Sequence, residues 1–327
     1  MKLFTFKAPS SSGNGVHVGA LDATGSTAVS FTRASRGDAR FASMLALVRA
    51  GSAILDEAQS ILDSHPADAA YDLAEVTLLA PLPDPPRFRD CSLFIEHLAP
   101  AFLGMARTLA AAAEDPDAEY ERLVATGDFG RPAVFAERVI YYNADHLSVS
   151  GPGDEIVAPP DTHHVDYELE IAAVVGTTGR NLTAADAGAA IFGYTIFNDW
   201  SCRDLQTEVM ASRLGPARGK DFDGANTVGP WIVTADELGD PYQLKMSARV
   251  NGETWSDGSS ASIEHTFEDA VAYLSRGRTI HAGELLGSGT VLSGSPIEIG
   301  KRLKDGDEVE LEVEGIGVLR NRLRLSR

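Results

Sequence analysis

Cysteine is nearly missing from this 327-residue chain, which has only Cys91 and Cys202. Two distant cysteines exclude a disulfide framework and a thiolate zinc cluster. Positive charge is also scarce: 28 Lys and Arg face 47 Asp and Glu, a formal net charge of −19. Such a chain repels phosphate backbones and anionic bilayers, so no nucleic-acid or membrane partner is expected. A small anion held by a few local cations remains compatible. No apolar run approaches membrane-spanning length, and the opening "MKLFTFKAPS" lacks the apolar core of a signal peptide. A soluble, cytoplasmic protein is the expectation.

What is present suffices for a large core, since 44% of the residues are hydrophobic. The segments "MKLFTFK", "VHVGALD" and "TAVSFT" read as short strands. Helical stretches follow at "FASMLALVRAG" and "SAILDEAQSILDSHP", where Ile54, Leu55, Ala58, Ile61 and Leu62 recur at helix spacing. Pro81, Pro83, Pro85 and Pro86 then oppose both helix and ladder, which predicts a boundary between a small N-terminal domain, residues 1–85, and a larger one, 86–327. Phe94 to about Thr126 reads as helical, either a surface helix pair or a lid. Beyond Val139 the chain alternates strand patterns ("YELEIAAVVG", "GYTIFND", "TVGPWIVT", "KMSARVNG", "TVLSGS", "EVELEVEGIGVLRNRL") with helices at "TAADAGAAI", "RDLQTEVM" and "FEDAVAYLSRG". The fold class expected is α+β, mainly β.

Five constellations carry polar chemistry. In "DTHHVDYELEIAAVVG", Asp166, Glu168 and Glu170 share one face of a strand, and Tyr167, Leu169 and Ile171 share the other. An edge strand wetted on one face explains such acids equally well. The following "IAAVV" tips the balance, because carboxylates entering a core need a partner, and a divalent metal supplies one. In "FNDWSCRDLQ", Asp199 ends an apolar strand, and Arg203 and Gln206 lie three apart on a helix; Asn198, Asp199 or Ser201 as a simple helix cap is the plain alternative. "PPRFRDCSLFIEH" holds Asp90 and His97, although a lone His is usually structural. Lys220 precedes a Gly-flanked strand. Thr290 and Glu298 surround a Gly/Ser turn that lets backbone approach a ligand.

Taken in order, Asp90 and His97, "DYELE", "NDWSCRDLQ", Lys220 with "FD" and "GPWIVT", "GSGT" and "GDEVELEVEGIGVLRN" resemble the fumarylacetoacetate hydrolase family over about residues 86–327. The resemblance implies a distorted β-sandwich or β-roll, usually homodimeric, with Mg²⁺, Mn²⁺ or Ca²⁺ held by Asp90, Glu168, Glu170 and Asp199. All-oxygen ligation suits such hard cations rather than zinc. It implies His97 as the base that activates water, Glu298 as its carboxylate (with Glu96 as a fallback), and Lys220 and Arg203 as catalytic cations. Gln206, Thr290 and Tyr142 become substrate contacts, with Tyr141 fitting nearly as well as Tyr142. Ser92 stands where fumarylacetoacetases carry tyrosine, which points away from fumarylacetoacetate itself.

The activity so implied is Mg²⁺-dependent hydrolysis of a C–C bond in a small, anionic β-diketo or acylpyruvate-like acid, through an enolate that the metal stabilises as a Lewis acid. Decarboxylation, hydration or dehydration, or keto–enol tautomerisation of a 2-oxo acid share that step. A non-catalytic binding protein stabilised by the same metal is the reading of another class; Lys220, Arg203 and His97 argue against it, since a structural site needs none of them.

Overall fold

The structure is a computed structural model and describes residues 1–9, 15–64 and 66–326; His65, at the end of a predicted helix, lies outside them. The strands that organise it are β1 (Lys2–Lys7), β2 (Val16–Leu21), β3 (Thr27–Ser30), β4 (Ala70–Asp72), β5 (Phe88–Cys91), β6 (Tyr141–Ala144), β7 (Leu169–Val175), β8 (Ile191–Asp199) and β9 (Asn226–Thr234). They continue with β10 (Lys245–Val250), β11 (Glu253–Ser259), β12 (Leu285–Gly287), β13 (Glu308–Val313) and β14 (Gly317–Arg324). The helices used below are α1 (Met44–Arg49), α2 (Ala53–Ser64), α3 (Leu98–Ala110), α4 (Pro116–Ala125), α5 (Arg203–Met210), α6 (Phe267–Ser275) and α7 (Pro296–Ile299).

The large sheet runs β4-β3-β2-β1-β9-β8-β7-β12-β5-β6, and a five-stranded sheet runs β11-β10-β13-β14 and then Glu155–Val157. The two pack face to face. From β7, Leu169, Ile171, Ala173 and Val175 meet Met246, Ala248, Val309, Leu311 and Val313 of the smaller sheet in one core. Ala172 and Val174 point the other way, into a second core with Leu47 and Val48 of α1 and Ile54 of α2. Strand β7 is therefore covered on both faces, which is why its sequence reads as an unbroken apolar run. β13 shows the opposite pattern: Val309, Leu311 and Val313 point inward, while Glu310 and Glu312 pair outside with Arg249.

The sandwich of mixed composition agrees with the α+β, mainly β expectation. The first 85 residues do not form a separate layer: β1 pairs with β9, Leu3 opposite Ile232, and Leu3, Val18, Phe31 and Phe41 share a core with Val174 and Phe197. The helices expected at "RDLQTEVM" and "FEDAVAYLSRG" form as α5 and α6. One predicted strand does not form. "TVLSGS" is an irregular turn, although Val291 donates to Leu169 and Leu169 donates to Gly294. Ser293 there has φ of 60°, a left-handed conformation that no regular strand tolerates. The Phe94–Thr126 segment is the helix pair α3–α4. α3 packs through Ala101 and Met105 on Ile297 of α7, whereas α4 buries no residue. No helix among the described residues is long and apolar enough to cross a membrane.

Candidate active site

The sequence places acids at the ends of neighbouring strands, and the ladder brings them together. Glu170 on β7 lies opposite Phe197 on β8, with Asp199 two residues on. On the other side β7 pairs with β12, whose Gly287 lies opposite Asp90 on β5, and Asp90 in turn lies opposite Tyr142 on β6. Asp90, Glu170 and Asp199 each offer an oxygen within 4.8 Å of the others, a geometry that can hold a metal ion. Glu170 and Asp199 are wholly buried and Asp90 is 9% exposed. The Gly287–Thr290 turn closes the cluster. The backbone N–H of Gly289 donates to Asp90 Oδ1 at 3.1 Å and Glu170 Oε2 at 2.9 Å, and the Thr290 hydroxyl donates to Glu170 Oε1 at 3.3 Å.

The fourth acid of the expected ligand set stands slightly apart. Glu168 lies in a short break between Asp166 and Leu169, and its N–H donates to the Asn198 side chain. Its carboxylate accepts from Lys220 Nζ at 2.5 Å and Arg203 Nη2 at 2.7 Å. Lys220 also bonds Asp199. Four hydrogen bonds engage Arg203: Nε to Asp166, Nη1 to Gln206 Oε1, and Nη2 to Glu168 and to Ser295 Oγ. Arg203 and Gln206 thus face each other and the carboxylates. The Tyr142 hydroxyl donates to Asp199 Oδ2 at 2.7 Å, whereas Tyr141 accepts from Arg278 at 2.9 Å. The capping alternative for "FNDWSC" does not hold, because α5 begins after Cys202 with no side-chain cap.

His97 sits at the start of α3, 7% exposed. Its Nε2 lies 3.9 Å from Glu168 Oε1 and its Nδ1 lies 3.0 Å from Glu298 Oε2. That second contact is close but misses hydrogen-bond geometry, so Nδ1 has no hydrogen-bond partner. Glu298 is fixed by the backbone N–H groups of Ser293 and Ser295. Glu96 is exposed, whereas His97 beside it is buried.

Electrostatics divide the acids into two groups. Burial, then the Asp199 charge, pushes Asp90 up to about 8; burial pushes Asp199 up to about 6 against the pull of Lys220. Burial, Asp90 and Asp199 push Glu170 well above the usual range. Burial alone would raise Glu168 too, but Lys220 and Arg203 hold it well below that range. Five buried carboxylates, counting Asp166, thus face two buried cations, and Asp199 Oδ1 has no hydrogen-bond partner. Asp90, Glu170 and Asp199, all raised by burial and by neighbouring carboxylates and with Asp199 Oδ1 unpaired, fit a divalent cation.

Fold and site define a β-sandwich protein with a buried carboxylate cluster beside a Lys and a His–Glu pair. The profile of the fumarylacetoacetate (FAA) hydrolase C-terminal family matches residues 118–324, and the chain belongs to that family. Over 182 residues it is 37% identical to the human mitochondrial oxaloacetate tautomerase FAHD2A, covering 54% of this chain and 56% of that protein. It is 31% identical over 198 residues to the Bacillus subtilis oxaloacetate tautomerase YisK, covering 60% of this chain and 64% of that protein. The chain therefore spans somewhat over half the length of these curated relatives. Among solved structures, a fumarylacetoacetate hydrolase from Exiguobacterium antarcticum superposes over all of both chains with TM-score 0.73 and 28% identity. Family relatives thus include tautomerases and hydrolases named for oxo acids. Asp90 and His97 precede the matched segment, so only the three-dimensional structure brings them to the acids inside it.

The sequence left Asp166 unassigned and did not single out Ser295 or Gly287. Asp166 has the same spacing signal as the other two acids, and the glycine is visible only as part of a flexible-looking turn.

Proposed function

We propose that the chain is an enzyme of small anionic 2-oxo acids whose central step moves a proton at the carbon beside the oxo group, with keto–enol tautomerisation of an oxaloacetate-like acid as its main reaction. One observation carries this reading: Asp90, Glu170 and Asp199 converge within 4.8 Å of one another next to the Lys220 ammonium. The names of the human and Bacillus subtilis relatives support the choice of tautomerisation. Asp90, Glu170 and Asp199, with Glu168 at their edge, would hold Mg²⁺, with Mn²⁺ or Ca²⁺ as other hard cations. Bound there, the cation supplies Lewis acidity that polarises the oxo group.

The chain's own groups do the rest. Lys220, fixed by Glu168 and Asp199, directs its remaining N–H toward the oxygen or carboxylate on which negative charge collects. His97 takes and returns the proton through Nε2, while Glu298 lies 3.0 Å behind it at Nδ1. Thr290 and Tyr142 orient the carboxylates as well as any substrate, since their hydroxyls bond Glu170 and Asp199. The His97–Glu298 contact favours a second reading, hydrolysis of a C–C bond in an acylpyruvate, because a His with a carboxylate 3.0 Å from its far nitrogen is placed to activate water. A homodimer belongs to the proposal and is checked by sedimentation.

The test follows decay of enol-oxaloacetate absorbance, and product formation from acylpyruvates, after EDTA treatment and after Mg²⁺ is restored. Mg²⁺-dependent ketonisation without cleavage supports tautomerisation. Cleavage to two acids moves the assignment to hydrolysis, and His97→Ala then abolishes it while leaving Mg²⁺ binding intact. Mg²⁺ binding without turnover of any oxo acid would leave the non-catalytic reading.

A further inference from the structure

Asp166 is the acid of the alternating three for which the chemistry above has no use. It is fully buried, and its Oδ2 accepts from Arg203 Nε at 2.9 Å, from the Ile297 backbone at 3.0 Å and from Ser295 Oγ at 3.4 Å. Its Oδ1 has no hydrogen-bond partner, and His164 Nε2 lies 3.4 Å from it. Arg203 Nη2 then reaches in two directions, to Glu168 Oε1 at 2.7 Å and to Ser295 Oγ at 2.6 Å. Ser295 heads α7, and its N–H donates to Glu298 Oε2 at 3.0 Å. The carboxylate beside His97 is therefore two bonds from the guanidinium that holds Glu168.

We propose that Asp166 is a positioning residue: it fixes the plane of Arg203, which acts as a strut setting the separation between Glu168 and the α7 turn that carries Glu298. A guanidinium is a rigid planar fork, so pinning Nε determines where both Nη2 hydrogens point. One points to the carboxylate cluster and the other to the His97–Glu298 pair. Without Asp166 the fork rotates toward Glu168, the nearest remaining carboxylate, and releases Ser295. The role of the strut in turnover rests on the function proposed above; its geometry does not.

The experiment uses the full chain loaded with Mg²⁺. Asp166→Asn keeps the shape but replaces the charged acceptor of Arg203 Nε, Ser295 Oγ and the Ile297 N–H by a neutral amide oxygen, a weaker partner for a guanidinium. The expected result is a fall in kcat of about 10- to 100-fold, the range for loss of a supporting hydrogen-bond partner, with KM within about threefold of the parent. A merely structural Asp166 would lower the melting temperature and leave kcat of the folded protein unchanged, and that outcome overturns the proposal. Ser295→Ala removes one hydroxyl and provides the milder variant if Asp166→Asn fails to fold. Because both act through Arg203, the double variant should be about as slow as the slower single one; multiplying defects overturn the proposal. A crystal structure of Asp166→Asn supplies a readout independent of turnover. Arg203 Nη2 and Ser295 Oγ should separate beyond about 3.5 Å, the limit of a hydrogen bond, and an unmoved strut overturns the inference. If the parent protein turns over no oxo acid, the functional reading fails while the crystal structure still judges the strut.

Discussion

At Gly287 a single missing methyl group makes room for the site. A Cβ there would lie 2.6 Å from Asp90 Oδ1 and 3.0 Å from the Phe197 ring. Phe197 is itself packed against Phe88 at a tilt, with centroids 4.6 Å apart, and Asp90 Oδ1 is held by the Gly289 N–H, so both neighbours resist moving. Gly287→Ala should cost about 1–3 kcal/mol of stability, the usual penalty for overpacking. It should also weaken Mg²⁺ binding measured by calorimetry at least tenfold; parental affinity would show that Asp90 is not held from that side. The same acids set a pH dependence. Asp90 is raised to about 8 and Asp199 to about 6, above the ordinary Asp value near 4. The folded metal-free chain keeps protons that the unfolded chain releases, so this contribution to stability is complete below about pH 4 and is lost as pH rises through 6 to 8. A cation replaces those protons, so the gain in melting temperature on adding Mg²⁺ should be larger at pH 8 than at pH 5. Equal gains at both values would contradict the assignment of these acids as ligands. Residue spacing presented Asp166, Glu168 and Glu170 identically, and the family resemblance singled out the latter two; the neighbours each carboxylate meets show that Glu170 joins Asp90 and Asp199 while Asp166 anchors Arg203.

Among the elements, α3 and α7 matter most, because His97 stands at the head of one and Glu298 lies within the other. They touch at Gly104, where a Cβ would lie 2.5 Å from the Ile297 carbonyl oxygen. Gly104→Ala should push the helices apart and lower kcat by about tenfold through the His97–Glu298 contact, with Mg²⁺ affinity unchanged. A parental kcat would mean that this contact is dispensable. α4 is the contrasting element. With no buried residue, it should be the first segment cut in limited proteolysis, near residues 111–130, and an oxo acid with Mg²⁺ should slow the cut if it acts as a lid. Helix periodicity announced both helices. It could not announce that α3 has a partner and α4 has none, because the packing of α3 depends on Ile297, nearly two hundred residues away. The predicted strand at "TVLSGS" failed for the same reason: its composition suits a ladder, but its backbone bends to bring Gly289 and Thr290 onto the carboxylates.

Across the whole molecule, the large sheet crosses the expected boundary near residue 85 by way of β1 and β9. Leu3, Phe31, Phe41 and Leu47 bury against the same core as Val174, Phe197 and Ile232, and each such side chain is worth about 2 kcal/mol. A fragment comprising residues 86–327 should therefore expose the β9 edge and that core, and show no cooperative thermal transition by circular dichroism. A sharp transition would establish the N-terminal segment as a separate domain after all. The proline run marks an irregular connection, as its sequence requires, but a break in secondary structure is not a break in the core.

The sequence by itself determined the secondary-structure inventory of β7 to β9 and of α5, the mainly β class, the net charge of −19, and the acids that fall at strand ends. Those properties follow from local periodicity and composition, which each segment carries alone. The tertiary structure decided which acids share a space, that Glu168 answers to Lys220 and Arg203, that Asp166 serves Arg203, and that His97 meets Glu298. These are contacts between residues as far as two hundred positions apart, and their energies depend on burial and on the charges nearby, neither of which exists until the strands are aligned.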